Sequence, residues 1–230
     1  MRAEAPIEAV VFDLDGVLID SEAVWNEARR ALVEERHGRW HPDAQRAMMG
    51  MSSVEWSRYI RDELGVEMAP EEISAEVVAR LERRYRERLP LLPGAQRAVS
   101  AIAGRWRLGL ASSANREIID LVLEQSGMGA YFAATVSSEE VPRGKPAPDV
   151  YLEAARRVGV EPAACAAVED STNGLRAAAA AGMTVIALPN AEFPPADDAV
   201  ALADIVLGSL DELTPELVAG LRRADPHAPS

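Results

Sequence analysis

The chain has 230 residues, 48% of them hydrophobic, enough for one large domain or two smaller ones around a real core. Its 37 acidic and 24 basic residues leave a formal net charge of -13 and a pI near 4.8, a surface that repels polyanions and argues against nucleic acid and anionic membrane as partners. The single cysteine, Cys165, excludes an intramolecular disulfide, and with neither a signal peptide nor an apolar run of membrane-spanning length the chain is expected in a reducing cytosol.

Residues 9–12, Ala-Val-Val-Phe, have the β-branched, apolar composition of a strand buried on both faces. The strand runs into Asp13-Leu14-Asp15-Gly16, where alternation sends the two acids to the same side and Gly16 allows a sharp turn. Two carboxylates crowded at a strand end need compensation, and oxygen-only ligands suit Mg²⁺. From about Asp20 to Leu89 the pattern is helical. Asp20-Ser21 can cap a helix over 22–36 with Trp25, Ala28, Leu32 and Val33 on one side; shorter helices follow over 43–49 and 53–64, and a long one over 71–88 after Pro70. The stripe Arg80, Arg83, Arg84, Arg86 and Arg88 reads as a solvated face paired with nearby glutamates.

Pro93-Gly94 punctuates the chain, and strands and helices then alternate. Helices are predicted over 95–104, 115–126, 147–158, 171–181 and 211–223, and strands over 106–111, 132–136, 165–168, 184–188 and 204–206. Strands separated by helices of this length imply an α/β fold, a doubly wound parallel sheet covered on both faces. The economical arrangement has core segments 1–19 and 91–230 interrupted by an inserted helical domain over 20–90.

Ligands of doubly wound sheets bind at the carboxyl ends of the strands. Here those ends carry Asp13 and Asp15; Ser112-Ser113-Ala114-Asn115; the loop Arg143-Gly144-Lys145-Pro146; and Glu169-Asp170-Ser171. All basic residues but one are arginine, and the exception is Lys145, where a compact ammonium suits a crowded pocket of oxygens better than a guanidinium fork. Acids, a hydroxyl and a lysine converging on one edge make a metal-assisted phosphoryl-transfer site. Ser171 reads as the cap of the helix it precedes, and Ser113 and Asn115 either touch substrate or cap theirs.

These motifs, DLDG with VLIDSE, LASSAN, RGKPAPD and VEDS in that order, resemble those of the haloacid dehalogenase superfamily, in its phosphatase and β-phosphoglucomutase-like branch with a helical cap. The resemblance implies a Rossmann-like core and a cap between the first two motifs. It also implies roles. Asp13 becomes the nucleophile that forms an aspartyl phosphate, and Asp15 the general acid and base. Asp170 becomes a direct Mg²⁺ ligand, with Glu169 a ligand or its support, and Asp13 and the Asp15 carbonyl complete the metal site. Ser112 would donate to the phosphoryl group, Lys145 would neutralise charge, and the Gly50-to-Ser53 loop would present specificity contacts from the cap.

Within that resemblance, Asp15 argues against the dehalogenases proper, and the absence of any cap lysine excludes a Schiff-base mechanism. Sugar phosphomutases carry a histidine where this chain has Trp25 and a cap arginine where it offers Ser53. The expectation is therefore an Mg²⁺-dependent phosphatase of a small phosphorylated metabolite, acting as a monomer. A phosphomutase is the alternative, and a non-catalytic phosphometabolite binder a more distant one.

Overall fold

A computed structural model describes residues 6–49 and 51–221. Six strands, β1 (Ala9–Phe12), β2 (Arg107–Ser112), β3 (Phe132–Ser137), β4 (Cys165–Glu169), β5 (Thr184–Ala187) and β6 (Ile205–Val206), form one sheet in the order β3-β2-β1-β4-β5-β6. Every pairing is parallel.

All four residues of β1 are fully buried, and their alternation divides the core. Val10 and Phe12 join the apolar cluster that includes α5 (Ala95–Ala103) and α6 (Arg116–Ser126). Ala9 and Val11 join the opposite cluster, built on α7 (Asp149–Val158) and α8 (Thr172–Ala180). The sheet is thus doubly wound as predicted. With β2 on one flank of β1 and β4 on the other, the strand order reverses at β1, so the crevice beyond its carboxyl end is where a ligand fits.

Between β1 and α5, among the described residues, lie the four helices of the insert, α1 (Glu22–Glu35), α2 (Ala44–Met48), α3 (Ser53–Asp62) and α4 (Pro70–Glu87). Leu32, Ile60, Ile73, Val77 and Leu81 are fully buried among them. Part of the predicted arginine stripe does more than face solvent: Arg80 bonds Glu35 at 2.6 Å and Arg84 reaches Glu27 at 2.5 Å, tying α4 to α1. The chain enters and leaves the insert through adjacent segments. Ile19 bridges to Leu91, the Asp20 N–H donates to the Pro90 carbonyl at 2.8 Å, and the Leu92 N–H donates to the Leu18 carbonyl at 3.0 Å.

Three local expectations change. Ser21 does stand before α1, but its hydroxyl donates to Asp15 Oδ1 instead of capping the helix. The predicted helix over 211–223 is a 3₁₀ turn, Leu210–Glu212, followed by α10 (Pro215–Gly220). Thr214 Oγ1 accepts from the Leu217 N–H there, and Pro215 at the first helical position sets the start; the rest of that prediction falls outside the described residues. A short helix, α9 (Asp197–Val200), was not expected. No helix among the described residues is long and apolar enough to cross a membrane.

Candidate active site

The carboxyl ends of β1, β2 and β4, the loop before α7 and the inner wall of the insert enclose one cavity. Its floor includes Asp13, Asp15, Ser113, Lys145 and Asp170, and its wall Glu22, Trp25, Arg29, Met49, Met51 and Trp56.

Lys145 is buried to 3% exposure, with its Nζ 3.0 Å from Asp13 Oδ1 and 2.6 Å from Glu169 Oε1. The first contact is an ion pair out of line for a hydrogen bond; the second is a good one. Burial alone would lower the Lys145 pKa, but the charges of Asp13 and Glu169 outweigh it and hold the ammonium above its ordinary value. Tyr151, from α7, donates to the same Glu169 oxygen at 2.8 Å, and its ring lies 5.1 Å below the ammonium. Glu169 Oε2 accepts from the Asp170 and Ser171 N–H groups, at 3.0 and 3.1 Å, and from Ser171 Oγ at 3.2 Å. Ser171 Oγ also accepts from the Gly174 N–H, so it caps α8 as expected while bracing Glu169.

Two glycines make this packing possible. A Cβ on Gly174 would lie 1.8 Å from Glu169 Oε1, and one on Gly16 would lie 1.9 Å from Asp170 Oδ2. Gly16 also has φ +75°, the left-handed turn expected after the two acids.

Asp13, Glu169 and Asp170 are all buried, each with a carboxylate oxygen within 4.8 Å of the others. Burial, then the nearby Glu169 and Asp15, push the Asp13 carboxyl well up while Lys145 pulls it down. Burial, Glu169 and Asp13 do the same to Asp170. A divalent cation relieves this strain, and an all-oxygen donor set suits Mg²⁺. The residues therefore fit the metal. Asp13 and Asp170 are the available ligands, because both oxygens of Glu169 are already taken by five donors. The Asp15 carboxylate stands outside this trio; its Oδ1 accepts from Ser21 Oγ and, at 3.0 Å, from Trp25 Nε1.

The remaining expected residues divide. Ser112 is fully buried at the end of β2 just behind the cavity lining, its Oγ accepting from the Ala114 N–H at 3.0 Å, while Ser113 belongs to the cavity floor. Asn115 and Ser53 instead converge on Glu139, a residue the sequence did not single out. Its Oε1 accepts from Ser53 Oγ at 2.6 Å and from Asn115 Nδ2 at 2.7 Å, and its Oε2 from the Arg116 N–H at 3.2 Å. Ser53 and Asn115 thus clasp the insert to the core and do not line the cavity. Gly50 lies outside the described residues. Arg29 and Tyr151 were also missed. Arg29 had a readable signal, a charge on the apolar side of its helix, one turn from Trp25.

A doubly wound sheet with an acid–lysine–acid edge under a helical insert is the architecture of a hydrolase family. A family model of haloacid dehalogenase-like hydrolases matches residues 7–182, and the chain belongs to that family. It is 36% identical over 220 residues to hexitol phosphatase B of Escherichia coli, covering 93% of this chain and 97% of that protein. The crystal structure of CbbY from Rhodobacter sphaeroides in complex with phosphate superimposes with a TM-score of 0.81 at 26% identity, covering 94% of this chain and all of that one. The fold is shared also with β-phosphoglucomutase from Clostridium difficile, with a TM-score of 0.80 at 23% identity over 92% of this chain and 95% of that one.

Proposed function

We propose that the protein is an Mg²⁺-dependent phosphatase that hydrolyses a small organic phosphomonoester, a sugar phosphate or similar, through an aspartyl phosphate. The observation that carries this reading is the buried Lys145, the one lysine of the chain, held between Asp13 and Glu169 beside Asp170, an ammonium set among carboxylates that a divalent cation would offset. In the first step an Asp13 carboxylate oxygen bonds to phosphorus, the bond from phosphorus to the leaving oxygen breaks, and Asp15 gives that oxygen a proton. In the second, Asp15 takes a proton from water as its oxygen attacks the same phosphorus, freeing phosphate and restoring Asp13. Asp15 suits both steps because Ser21 and Trp25 hold one of its oxygens, fixing the carboxyl against the cavity.

Lys145 balances negative charge on the phosphoryl group, and Tyr151 and Glu169 keep its ammonium in place. Ser112 Oγ accepts from Ala114 and keeps its own proton for a phosphoryl oxygen. Asp13, Asp170 and the Asp15 carbonyl would hold Mg²⁺, which would supply positive charge against the repulsion between the carboxylates and an anionic phosphoryl group. Trp25 supports hydrolysis over mutase chemistry, because an indole donates a hydrogen bond but cannot take up a proton from an incoming sugar hydroxyl.

The test is phosphate release from a panel of sugar and other small phosphates, with Mg²⁺ or EDTA, beside Asp13→Asn. Release that requires Mg²⁺ and vanishes in the variant is expected. Conversion of a hexose 1-phosphate to its 6-phosphate with a bisphosphate primer, without net phosphate release, would instead establish a mutase. The name of the E. coli relative, a hexitol phosphatase, supports the sugar-phosphate class.

A further inference from the structure

Arg29 is 5% exposed on the apolar face of α1, and its side chain lines the cavity opposite the acids and Lys145. Its guanidinium carbon lies 4.6 Å from the ring centre of Trp25 and 5.0 Å from that of Trp56. Its Nε is buried without a hydrogen-bond partner, and among the described residues Arg29 makes no ion pair. A buried, unpaired donor is costly, and an apolar side chain would pack this helix face better. The side chain that carries this unsatisfied group is part of the lining of the substrate cavity.

The surroundings define what would satisfy it. The two indoles, inclined at 65° to each other, both lie against the guanidinium, so its N–H groups turned away from the rings are what remains for a ligand oxygen. Glu22, two turns before Arg29 on the same helix, lines the same wall, with Oε2 fixed by Gln45 Nε2 at 2.6 Å. The cavity already holds the carboxylates of Asp13, Asp15, Glu22 and Asp170 against two cations, Lys145 and Arg29. One divalent ion balances that set, and the Glu169 carboxylate bonded to Lys145 then leaves the site net negative before a phosphoryl dianion enters. A second anion on the substrate would sit against Glu22 in an already negative pocket. A hydroxyl, by contrast, can accept from Arg29 and donate to Glu22 at once. A nucleobase would have to stack on indoles that Arg29 already occupies.

We propose that Arg29 is a specificity-determining residue that, with Glu22, holds hydroxyls at the end of the substrate remote from phosphorus, selecting compact polyhydroxylated monophosphates over bisphosphates, phosphocarboxylates and nucleotides. The assignment rests on the phosphatase reading for its turnover assay but not for its binding assay.

The experiment compares the native protein with Arg29→Met and Arg29→Lys on sorbitol 6-phosphate, p-nitrophenyl phosphate and 3-phosphoglycerate. The native protein is expected to favour sorbitol 6-phosphate over 3-phosphoglycerate. Arg29→Met should lower kcat/KM on sorbitol 6-phosphate by on the order of 10- to 100-fold, mainly through KM, while p-nitrophenyl phosphate changes by less than about threefold. Arg29→Lys should recover part of the loss. An equal loss on both esters would reduce Arg29 to a structural residue, and a native preference for 3-phosphoglycerate that Arg29→Met abolishes would show a site for a second anion; either overturns the proposal. Calorimetric binding of sorbitol 6-phosphate to Asp13→Asn, with and without Arg29→Met, separates the two readings. Binding that depends on Arg29 in a protein whose native form hydrolyses none of the three esters would sink the phosphatase and keep the assignment. Binding indifferent to Arg29, or none at all, sinks the assignment.

Discussion

Lys145 is the residue on which the site's electrostatics turn. Its ammonium fits between Asp13 and Glu169 at 3.0 and 2.6 Å with Tyr151 packed beneath, leaving no room for a broader cation. Lys145→Arg should therefore fold, yet lose on the order of 10²-fold or more in kcat, read by steady-state phosphate release. Lys145→Met should also destabilise by roughly 3–5 kcal/mol in a denaturant titration, because it strands buried carboxylates. Gly174→Ala provides a separate test of Glu169. The added Cβ would lie 1.8 Å from the carboxylate, which must move and release Lys145, so a loss of about 1–3 kcal/mol should accompany lower activity. Asp13, Asp15 and Asp170 were legible in the sequence because a strand end is a local feature, where an apolar run stops and the acid follows, and Lys145 because it is the one lysine of the chain. Glu169 was legible as a carboxylate but not as the brace it is, since its five donors come from three separate segments. Arg29 was hidden by its neighbours. Trp25, Ala28, Leu32 and Val33 describe a core-facing stripe, and reading that stripe by its apolar members passes over the charge within it.

At the scale of elements, the cap meets the core through few polar contacts, and Glu139 collects several of them. It joins Ser53 at the start of α3 to Asn115 before α6, and Asn115 also reaches Ser74 of α4 at 3.4 Å. Glu139→Ala should leave the melting temperature within a few degrees but loosen the cap. Hydrogen exchange in α3 should speed up relative to α7, and KM should rise several-fold, since closure completes the cavity wall. The start of α3 at Ser53 was readable from its helical pattern, and there the Ser52 N–H and Oγ both donate to Glu55 Oε2, at 2.8 and 2.7 Å. The pairing of Ser53 with Glu139 was not, because nothing local links a helix start to a carboxylate in a distant loop. The same limit shortened the last helix, where Thr214-Pro215 was a clearer start signal than the acids before it.

For the whole molecule, the acid cluster couples proton binding, metal binding and stability. Asp13 and Asp170 hold protons more tightly in the metal-free fold than in the unfolded chain, each raised above an ordinary value of 3.8. Stability of the metal-free protein should therefore fall as pH climbs from about 4 through the raised values of the pair. Mg²⁺ competes with those protons, so the gain in Tm on saturating with Mg²⁺ should be larger near pH 8 than near pH 5.5 in differential scanning calorimetry. An equal gain at both would mean that the ion binds elsewhere. The doubly wound class and the placement of the insert were legible because alternating periodicities and the long helical interruption persist over tens of residues. The strand order was not, because it depends on which distant segments pair.

That pairing has a consequence in time. The strand bearing Asp13 leaves the ribosome before both of its neighbours in the sheet, Arg107–Ser112 and Cys165–Glu169, with Ala9 opposite Arg107 and Cys165. The helices of the lid are synthesised before either flank exists. A stalled nascent chain ending ahead of Cys165 should carry its nucleophile and its lid but no second carboxylate for the ion, and so show no Mg²⁺-dependent protection of residues 9–20 from protease. Asp13 is made before every other strand end of the site and waits for the last of them to reach its folded surroundings.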